Sequence, residues 1–286
     1  MEERCDGKTQ CQDLSDEDEC YLFSTFSGYK KFLVPPPIGN ESTLIMNLSI
    51  IINEIIAIDE NNGNFEVKMT IIRRWFNPQL TYNNLKRIST KNIMAEEENT
   101  KMWEPWTIFQ NIKNDKSYDK TSKRHIITVI PNEDYKFTLD GSNKHNTMLF
   151  KGAENAINSE KEYSVNWVCQ YNMRWYPFDS QRCTMEFFNV EDSITLIPSS
   201  VNYSGPTELT QHFVKGVHIC SFNIQNRPGV IVEVILGRPL FGTSLSVYMP
   251  TLILLILSQL VRVFNKDYLD MAIEVNLTLL LVLATL

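Results

Sequence analysis

The uncharged run Thr243–Val261, TSLSVYMPTLILLILSQLV, is the feature that most restricts what this chain can fold into. A helix that crosses a bilayer needs roughly 20 mostly apolar residues, so the run predicts a first membrane helix at about 242–263. A second apolar run, LTLLLVLATL, ends the sequence and predicts a truncated second helix at about 268–286. Residues 238–286 are therefore expected to form a transmembrane domain.

Basic residues set the expected orientation of the first span. Arg262 and Lys266 follow it directly, and basic residues collect on the cytoplasmic side of membrane helices. Everything before the first span is then extracellular, and the chain is expected at the plasma membrane. Met1 is not followed by a recognisable secretion signal, and the second run stops short, so we expect the sequence to be truncated at both ends.

The composition of the N-terminal part favours the same location. All six cysteines precede the first span, and Asn40, Asn47 and Asn202 begin Asn-x-Ser sequons that we expect to be glycosylated. The net charge of -7 argues against nucleic acid as a partner. No nucleophile and base combination is visible, so an enzyme is not expected.

Residues 44–237 read as short strands separated by turn residues. The segments LIMNLSIIINEIIAID and FEVKMTIIRRWF flank an Asn-Gly turn, which is typical of a β-hairpin. Further strand-like segments are HIITVI, YSVNWVCQYNM, CTMEFFNV, HFVKGVHICSFNI and VIVEVIL. Because no long amphipathic helix interrupts them, we expect a mainly β, immunoglobulin-like sandwich, followed by the α-helical transmembrane segments.

Residues 1–20 form a small acidic, cysteine-rich segment, CDGKTQCQDLSDEDEC from Cys5 to Cys20. So short a segment needs disulfides or a metal to be stable, and its crowded carboxylates suit Ca²⁺. A disordered acidic tail is the alternative. The spacing resembles the C-terminal half of an LDL-receptor class A repeat.

That resemblance implies a Cys5–Cys20 disulfide, a partner for Cys11 upstream of this sequence, and bound Ca²⁺ once the repeat is complete. Gln10 stands where the family has a ligand Asp, which puts the Ca²⁺ affinity in question. The implied ligands are Asp6, the backbone carbonyl of Lys8, Gln10, Asp16 and Glu17. Residues 21–43, with Pro35-Pro36-Pro37, follow as a stiff linker.

The stretch CQYNMRWYPFDSQRC runs from Cys169 to Cys183. A disulfide that closes a loop of about 15 residues is worth roughly 3 kcal/mol in the chain-entropy model, so such a loop could stay ordered outside the core. An aromatic-Pro bond at Tyr176–Pro177 has a raised chance of being cis. The alternative is a disulfide that only stabilises the sandwich.

The end of this loop, YPFDSQRC, resembles the signature of the Cys-loop pentameric ligand-gated ion channels. RRWFNPQL, WEPWTIFQN and Arg238-Pro239 match further features of that family in the same order. The resemblance covers roughly Leu44 to Leu286. It implies a subunit of a homo- or heteropentamer with four further subunits, opened by an extracellular small-molecule agonist. It also implies that the sandwich has about ten strands. The implied coupling residues, which pass agonist-induced motion to the gate, are Tyr176, Pro177, Phe178, Asp179 and Arg238. Arg238 would be positioned to pair with an acid such as Asp179.

The second apolar run carries a polar stripe. Glu274, Thr278, Leu281 and Thr285 step by four, three and four residues and share a helical face. A carboxylate facing lipid is costly, so the stripe predicts a pore lining, and a ring of Glu274 favours cations. The alternative to pore lining is a Glu274 held at the helix N-terminus by the helix dipole or reaching the membrane interface. The resemblance places a hydrophobic gate at Leu281, and a slipped register would place it at Leu279 or Leu280 instead. An anion-selective channel is the alternative to cation selectivity.

The resemblance also places the agonist site near Thr70, Gln110 and Val190, none of which is aromatic. Phe222 and Tyr203 are the nearest aromatic residues. Amine transmitters need ring faces, so acetylcholine is not expected at a site built from this chain alone. The agonist could be another molecule or need a partner subunit. The rival hypotheses are an obligate heteromeric subunit and a membrane-anchored adhesion or ligand-capture protein that does not conduct.

Overall fold

The computed structural model describes residues 12, 20–113, 125–140, 147–224, 227–239, 241, 248–261, 273–278 and 280–281. Its contacts divide the chain into two compact units. The first unit comprises Met1–Gln170, Arg182–Pro206 and Gly216–Val234, and the second comprises Tyr171–Gln181, Thr207–Lys215 and Ile235–Leu286.

The described residues are mainly β, as the sequence predicts. Their thirteen strands are β1 Phe23–Thr25, β2 Leu44–Asp59, β3 Asn64–Trp75, β4 Leu80–Asn83, β5 Thr107–Phe109, β6 His125–Ile130, β7 Thr138–Asp140, β8 Thr147–Lys151, β9 Ala156–Val168, β10 Ser180–Asn189, β11 Ile194–Tyr203, β12 Phe213–Ile224 and β13 Arg227–Gly237. The helices are a 3-10 turn at Ser89–Lys91, α1 Glu96–Asn99 and α2 Met249–Val261, and residues 273–278 and 280–281 are also helical.

The longest hairpin confirms the prediction from the Asn-Gly turn. β2 and β3 pair antiparallel from Asn47–Arg74 to Asp59–Asn64. The Asp59 carboxylate accepts hydrogen bonds from the backbone N–H and the side-chain amide of Asn62, at 2.9 and 2.6 Å. Gly63 follows with φ of +66°, a conformation that residues with a Cβ avoid. The turn residues thereby fix the register of the hairpin.

The core lies where a five-stranded sheet, in the order β11-β2-β3-β9-β6, meets a four-stranded sheet, β12-β13-β10-β5. Inward positions of β2 and β3 alternate with outward ones and are buried. Phe109 of β5 packs edge-on against Trp167 of β9 and Phe187 of β10, with ring centroids 5.6 Å apart in both cases. The contact of Phe109 with Trp167 joins the two sheets, as in a β-sandwich, whereas Phe187 is the partner of Phe109 within the same sheet.

Two details of the fold differ from the expectation. A further sheet, β1-β4-β8-β7, is present, so the described part of the chain has thirteen strands in three sheets where about ten strands were expected. One of these strands, β1, pairs with β4 at Phe23–Tyr82. The segment 21–43 is therefore more than a spacer, because its first residues complete a sheet.

The expected membrane helices overlap the described residues only in part. α2 lies inside the first predicted span, 242–263, and the helical residues 273–278 and 280–281 lie inside the second, 268–286. Among the described residues, no helix combines the length and the hydropathy that crossing a bilayer requires.

Candidate functional site

A disulfide between Cys169 and Cys183 closes the segment between these residues, which is called the bracketed loop below. Within the loop, Gln181 accepts a hydrogen bond from the backbone N–H of Asn172 at 2.8 Å and donates one to the Asn172 carbonyl at 3.0 Å. The Tyr176–Pro177 peptide bond is cis. Two turn bonds, from Tyr176 N–H to Met173 at 3.1 Å and from Phe178 N–H to Trp175 at 2.6 Å, complete a loop held by its own hydrogen bonds.

Asp179 and Arg238, which the sequence analysis expects to pair, form a buried ion pair. Arg238 Nε donates to Asp179 Oδ1 at 2.8 Å and to Oδ2 at 3.0 Å. Asp179 is 6% exposed and Arg238 8%. Burial acts to raise the pKa of Asp179, but hydrogen bonds from Gln181 and Arg238 and the guanidinium charge outweigh it, so the pKa lies below its ordinary value.

The Arg238 guanidinium has further partners in the same loop. It lies 4.8 Å from the ring centroid of Tyr176, close enough for a cation–π interaction. Its Nη2 is 3.3 Å from Met173 Sδ. Arg238, the residue after β13, therefore connects the end of that strand to the interior of the loop. Of the other expected coupling residues, Pro177 is buried, whereas Tyr176 and Phe178 are exposed.

Three of the five candidate ligand residues lie on the outer face of the four-stranded sheet. The N–H of Gln110 bonds to the carbonyl of Glu186, and the N–H of Val190 bonds to the carbonyl of Trp106. These bonds bring β5 and β10 side by side. Phe222 of β12 reaches the same face, because its ring packs 5.0 Å from that of Phe188.

This face also holds residues that the sequence analysis missed. Trp106 is 70% exposed, and Ile108 and Val190 are exposed beside it. The carboxylate of Glu186 has no hydrogen bond or ion pair within the described part of the chain, and burial raises its pKa. The alternation of Trp106, Thr107, Ile108 and Phe109 could have indicated an outward Trp. The face combines apolar rings with one unpaired carboxyl group.

The other two candidates lie on the five-stranded sheet, around Asn53. The Asn53 amide donates to Thr70 Oγ1 at 2.9 Å and to Glu162 at 3.3 Å. Tyr203 donates to the Pro206 carbonyl at 2.6 Å. Glu162 also pairs with Lys68 at 3.0 Å. The surroundings of Thr70 are therefore polar, and within one subunit the five candidates form two groups on different sheets.

The expected pore stripe is described for three of its four residues. Glu274, Thr278 and Leu281 are helical and exposed, and Thr285 lies outside the described residues. Asn276 accepts a hydrogen bond from Ser258 of α2 at 2.9 Å. At about 100° per residue, Asn276 projects roughly opposite to the three stripe residues. The contact with α2 therefore uses the other side of this helix.

A buried charge cluster lies in the first unit and was not predicted. Arg73 is 2% exposed and donates to Glu104 Oε1 at 2.6 Å and to the Pro105 carbonyl at 2.5 Å. His125 Nε2 lies 3.2 Å from the same Glu104 oxygen. Arg73 occupies an inward position of the alternating strand β3, which was the available signal that this cation is buried.

The remaining expected sites are described only partly. The implied calcium ligands, Asp6, Lys8, Gln10, Asp16 and Glu17, lie outside the described residues, as does Cys5. Cys20 is disulfide-bonded, and its partner is not among the described residues. Asn40 and Asn202 are exposed and Asn47 is half-buried, so at least two sequons are accessible to a glycan.

Comparison with known proteins identifies the domain. The family model described as the neurotransmitter-gated ion-channel ligand binding domain matches residues 20–203. Gamma-aminobutyric acid receptor subunit beta-4 of Gallus gallus is 25% identical over 271 residues, covering 91% of this chain and 50% of the relative. Gamma-aminobutyric acid receptor subunit beta-like of Drosophila melanogaster is 21% identical over 269 residues, with coverage of 88% and 50%.

A relative with a different transmitter in its name is also similar. Acetylcholine receptor subunit alpha-type deg-3 of Caenorhabditis elegans is 26% identical over 184 residues, covering 63% of this chain and 28% of the relative. The chain spans about half the length of the gamma-aminobutyric acid receptor subunits that it matches. Since the ligand-binding domain model matches well over half of the residues and the disulfide-closed loop is present, the chain belongs to the neurotransmitter-gated ion-channel family.

Proposed function

We propose that the chain is a subunit of a pentameric channel of the plasma membrane that an extracellular small-molecule agonist opens. The observation that carries the proposal is the buried pair of Asp179 and Arg238. It links the bracketed loop to the residue that leads into the predicted first span. Motion of the ligand-binding sandwich would reach the membrane helices through this pair, with Tyr176, Pro177 and Phe178 beside it.

The agonist is proposed to bind between subunits. One subunit would contribute the outer face with Gln110, Val190 and Phe222, and its neighbour would contribute the polar surroundings of Thr70 and Tyr203. The division of these candidates between two sheets supports such a shared site. The apolar residues around Phe188, with the carboxyl group of Glu186, suit an amphipathic agonist. The names of the relatives include two transmitters, so the agonist has to be found by experiment.

Trp106→Ala is expected to raise the half-maximal agonist concentration by about ten- to a hundredfold. Burying a large apolar side chain contributes roughly 1.5–3 kcal/mol, and 1.4 kcal/mol corresponds to a factor of ten. The measurement is an agonist dose–response curve of the full-length receptor. Ile56→Ala, an exposed residue near the end of β2, is the control and should leave the curve unchanged. Equal curves for Trp106→Ala and wild type would remove this face from the site.

Cation selectivity is proposed from the stripe of Glu274, Thr278 and Leu281, with Thr285 continuing it. The bond between Asn276 and Ser258 supports this orientation, because it places Asn276 against a neighbouring helix and the stripe on the opposite side. Five copies of Glu274 would then attract cations to the pore. An anion-selective pore is the alternative.

Glu274→Ala is expected to abolish or reverse the preference for sodium over chloride. The measurement is the shift of the reversal potential when sodium or chloride is replaced in turn. Glu233→Ala, a change on β13, is the control and should keep the wild-type reversal potential. A wild-type reversal potential that follows chloride would reject cation selectivity and leave the channel function in place.

The N-terminal segment is proposed to complete an LDL-receptor class A repeat in the full-length protein. Asp6, Asp16, Glu17, Gln10 and the carbonyl of Lys8 would hold Ca²⁺ there. The donor set is all oxygen, as Ca²⁺ requires. Glycans on Asn40, Asn47 and Asn202 are proposed on the same extracellular part.

The deciding experiment expresses the full-length transcript product in oocytes under voltage clamp. A panel of transmitters and a range of pH are applied. An agonist-evoked current would support the channel. Surface pentamers without current in any condition, but with current when co-expressed with another subunit, would favour an obligate heteromer. Surface pentamers silent in every combination would favour the non-conducting ligand-capture protein.

A further inference from the structure

The bracketed loop exposes two large aromatic side chains that its own fold leaves uncovered. Trp175 is 70% exposed and Phe178 is 74% exposed. Trp175 precedes the Tyr-Pro-Phe-Asp motif, so the coupling role proposed for that motif does not explain it. Exposed apolar groups that lie close together generally mark a contact surface. Something outside the described residues is therefore expected to cover them.

The backbone beneath these side chains is firmly held. Asn172 and Gln181 join the two arms of the loop, and Arg238 binds Asp179 from the end of β13. The N–H of Phe178 bonds to the carbonyl of Trp175 at 2.6 Å. Trp175 and Phe178 thus project from a backbone that these hydrogen bonds hold in place.

The charges of this loop segment favour a partner that carries phosphate. Within Tyr171–Gln181 the one acidic residue is Asp179, which is buried and paired. The one basic residue is Arg174, which is exposed, with its guanidinium 5.9 Å from the ring centroid of Trp175. The exposed surface of the segment is therefore cationic and aromatic, although the whole chain has a net charge of -7.

We propose that Trp175 and Arg174 anchor the bracketed loop in the headgroup region of the lipid bilayer. Trp rings collect at the interface between membrane and water, because the indole is apolar and carries one N–H donor. Arginine is attracted to anionic headgroups. The compact unit that holds these residues also holds α2, whose side chains include the exposed Leu252, Leu255 and Leu260. The proposal rests on the proposed membrane location and adds a lipid contact to the coupling loop.

The test measures tryptophan fluorescence of the full-length receptor in nanodiscs of phosphatidylcholine and phosphatidylglycerol. Lipids brominated near the headgroup end of their acyl chains quench only tryptophans at that depth. Trp175→Phe is expected to remove part of the bromolipid-sensitive emission. Trp106→Phe is the matched control, because Trp106 is equally exposed in the sandwich, and it should remove none of that part.

Three outcomes would overturn the anchor: unchanged bromolipid quenching in Trp175→Phe, quenching of Trp175 by aqueous iodide in nanodiscs as strong as in detergent, or protection of Trp175 from both quenchers. Protection from both would mean that protein covers it. The readout needs neither agonist nor current. A receptor that is silent in every subunit combination but has a lipid-quenched Trp175 would reject channel function and keep the anchor. A conducting receptor with an unquenched Trp175 would reject the anchor alone.

Discussion

Asp179→Asn is expected to abolish the agonist response and to destabilise the protein by about 3–5 kcal/mol, because it leaves the buried Arg238 guanidinium without a counter-charge. Arg238→Gln should have a similar effect. The exchange of both residues, Asp179→Arg with Arg238→Asp, should recover part of the stability. A recovery of this kind would show that the two side chains interact, and the double variant Asp179→Asn with Arg238→Gln completes the cycle that gives their coupling energy. The measurements are agonist-evoked current, normalised to surface receptor, and the thermal midpoint of the purified pentamer.

The pair of Lys68 and Glu162 provides the matched control. It is an ion pair between β3 and β9, and its side chains are 44% and 25% exposed. Exposed ion pairs contribute about 0–1 kcal/mol, so Glu162→Gln should leave the thermal midpoint nearly unchanged. If Asp179→Asn shifted the thermal midpoint no more than Glu162→Gln does and kept the wild-type agonist-evoked current, the buried pair could not be the element that couples the loop to the membrane segments.

The pH dependence of the ion pair between Asp179 and Arg238 follows from the direction in which the pKa of Asp179 is shifted. The folded protein lowers the pKa of Asp179, so this residue contributes stability above its ordinary pKa. That stability is lost as the pH falls through the lowered value. The ion pair should therefore contribute the same stability at neutral and at mildly alkaline pH, and this stability should be lost only in acid.

The longest hairpin and the ion pair of the bracketed loop were predictable from the sequence. β2 and β3 alternate over many residues around Asn62-Gly63, so the pattern and the turn agree on one register. The pairing of Asp179 with Arg238 came from the family motif, since the two residues are 59 positions apart and no local pattern connects them. The comparison with known families confirms the resemblance that carried this prediction.

Most of the strands that the sequence analysis missed are short. The exception is β11, whose ten residues contain Pro198 and an irregularity in the pairing with β2 between Pro198 and Ser200. β1, β5 and β7 have three residues each, which is too few to show a period of two. Their pairing depends on partners far along the chain, as β1 with β4 shows. For the ligand-site candidates, the difficulty lay in the register of the strands and not in their detection. Their strands were mostly recognised, but only the register of β10 with β5 shows that Trp106 and Glu186 share a face with Val190 and Gln110.

The buried cluster around Arg73 should be the most sensitive charged site of the sandwich. Glu104→Gln is expected to cost about 3–5 kcal/mol, because it leaves a nearly inaccessible guanidinium uncompensated. Arg73→Met should cost less in electrostatic terms, since Glu104 is partly exposed and still contacts His125. The double variant should be more stable than Glu104→Gln alone. At about 2–4 °C per kcal/mol for a domain of this size, thermal melting resolves these differences.

Acid titration gives an independent test of the same cluster. Burial acts to raise the pKa of Glu104, but the hydrogen bond from His125 and the positive charges of Arg73, His125 and Lys161 lower it from 4.5 to about 2. A lowered carboxyl pKa means stability that is fully present above pH 4.5 and is lost as the pH falls toward 2. Wild type should therefore lose stability across this window. Arg73→Met should lose less, because it removes the positive charge that lowers the pKa of Glu104 most. Parallel acid curves for wild type and Arg73→Met would show that Arg73 does not hold Glu104 ionised.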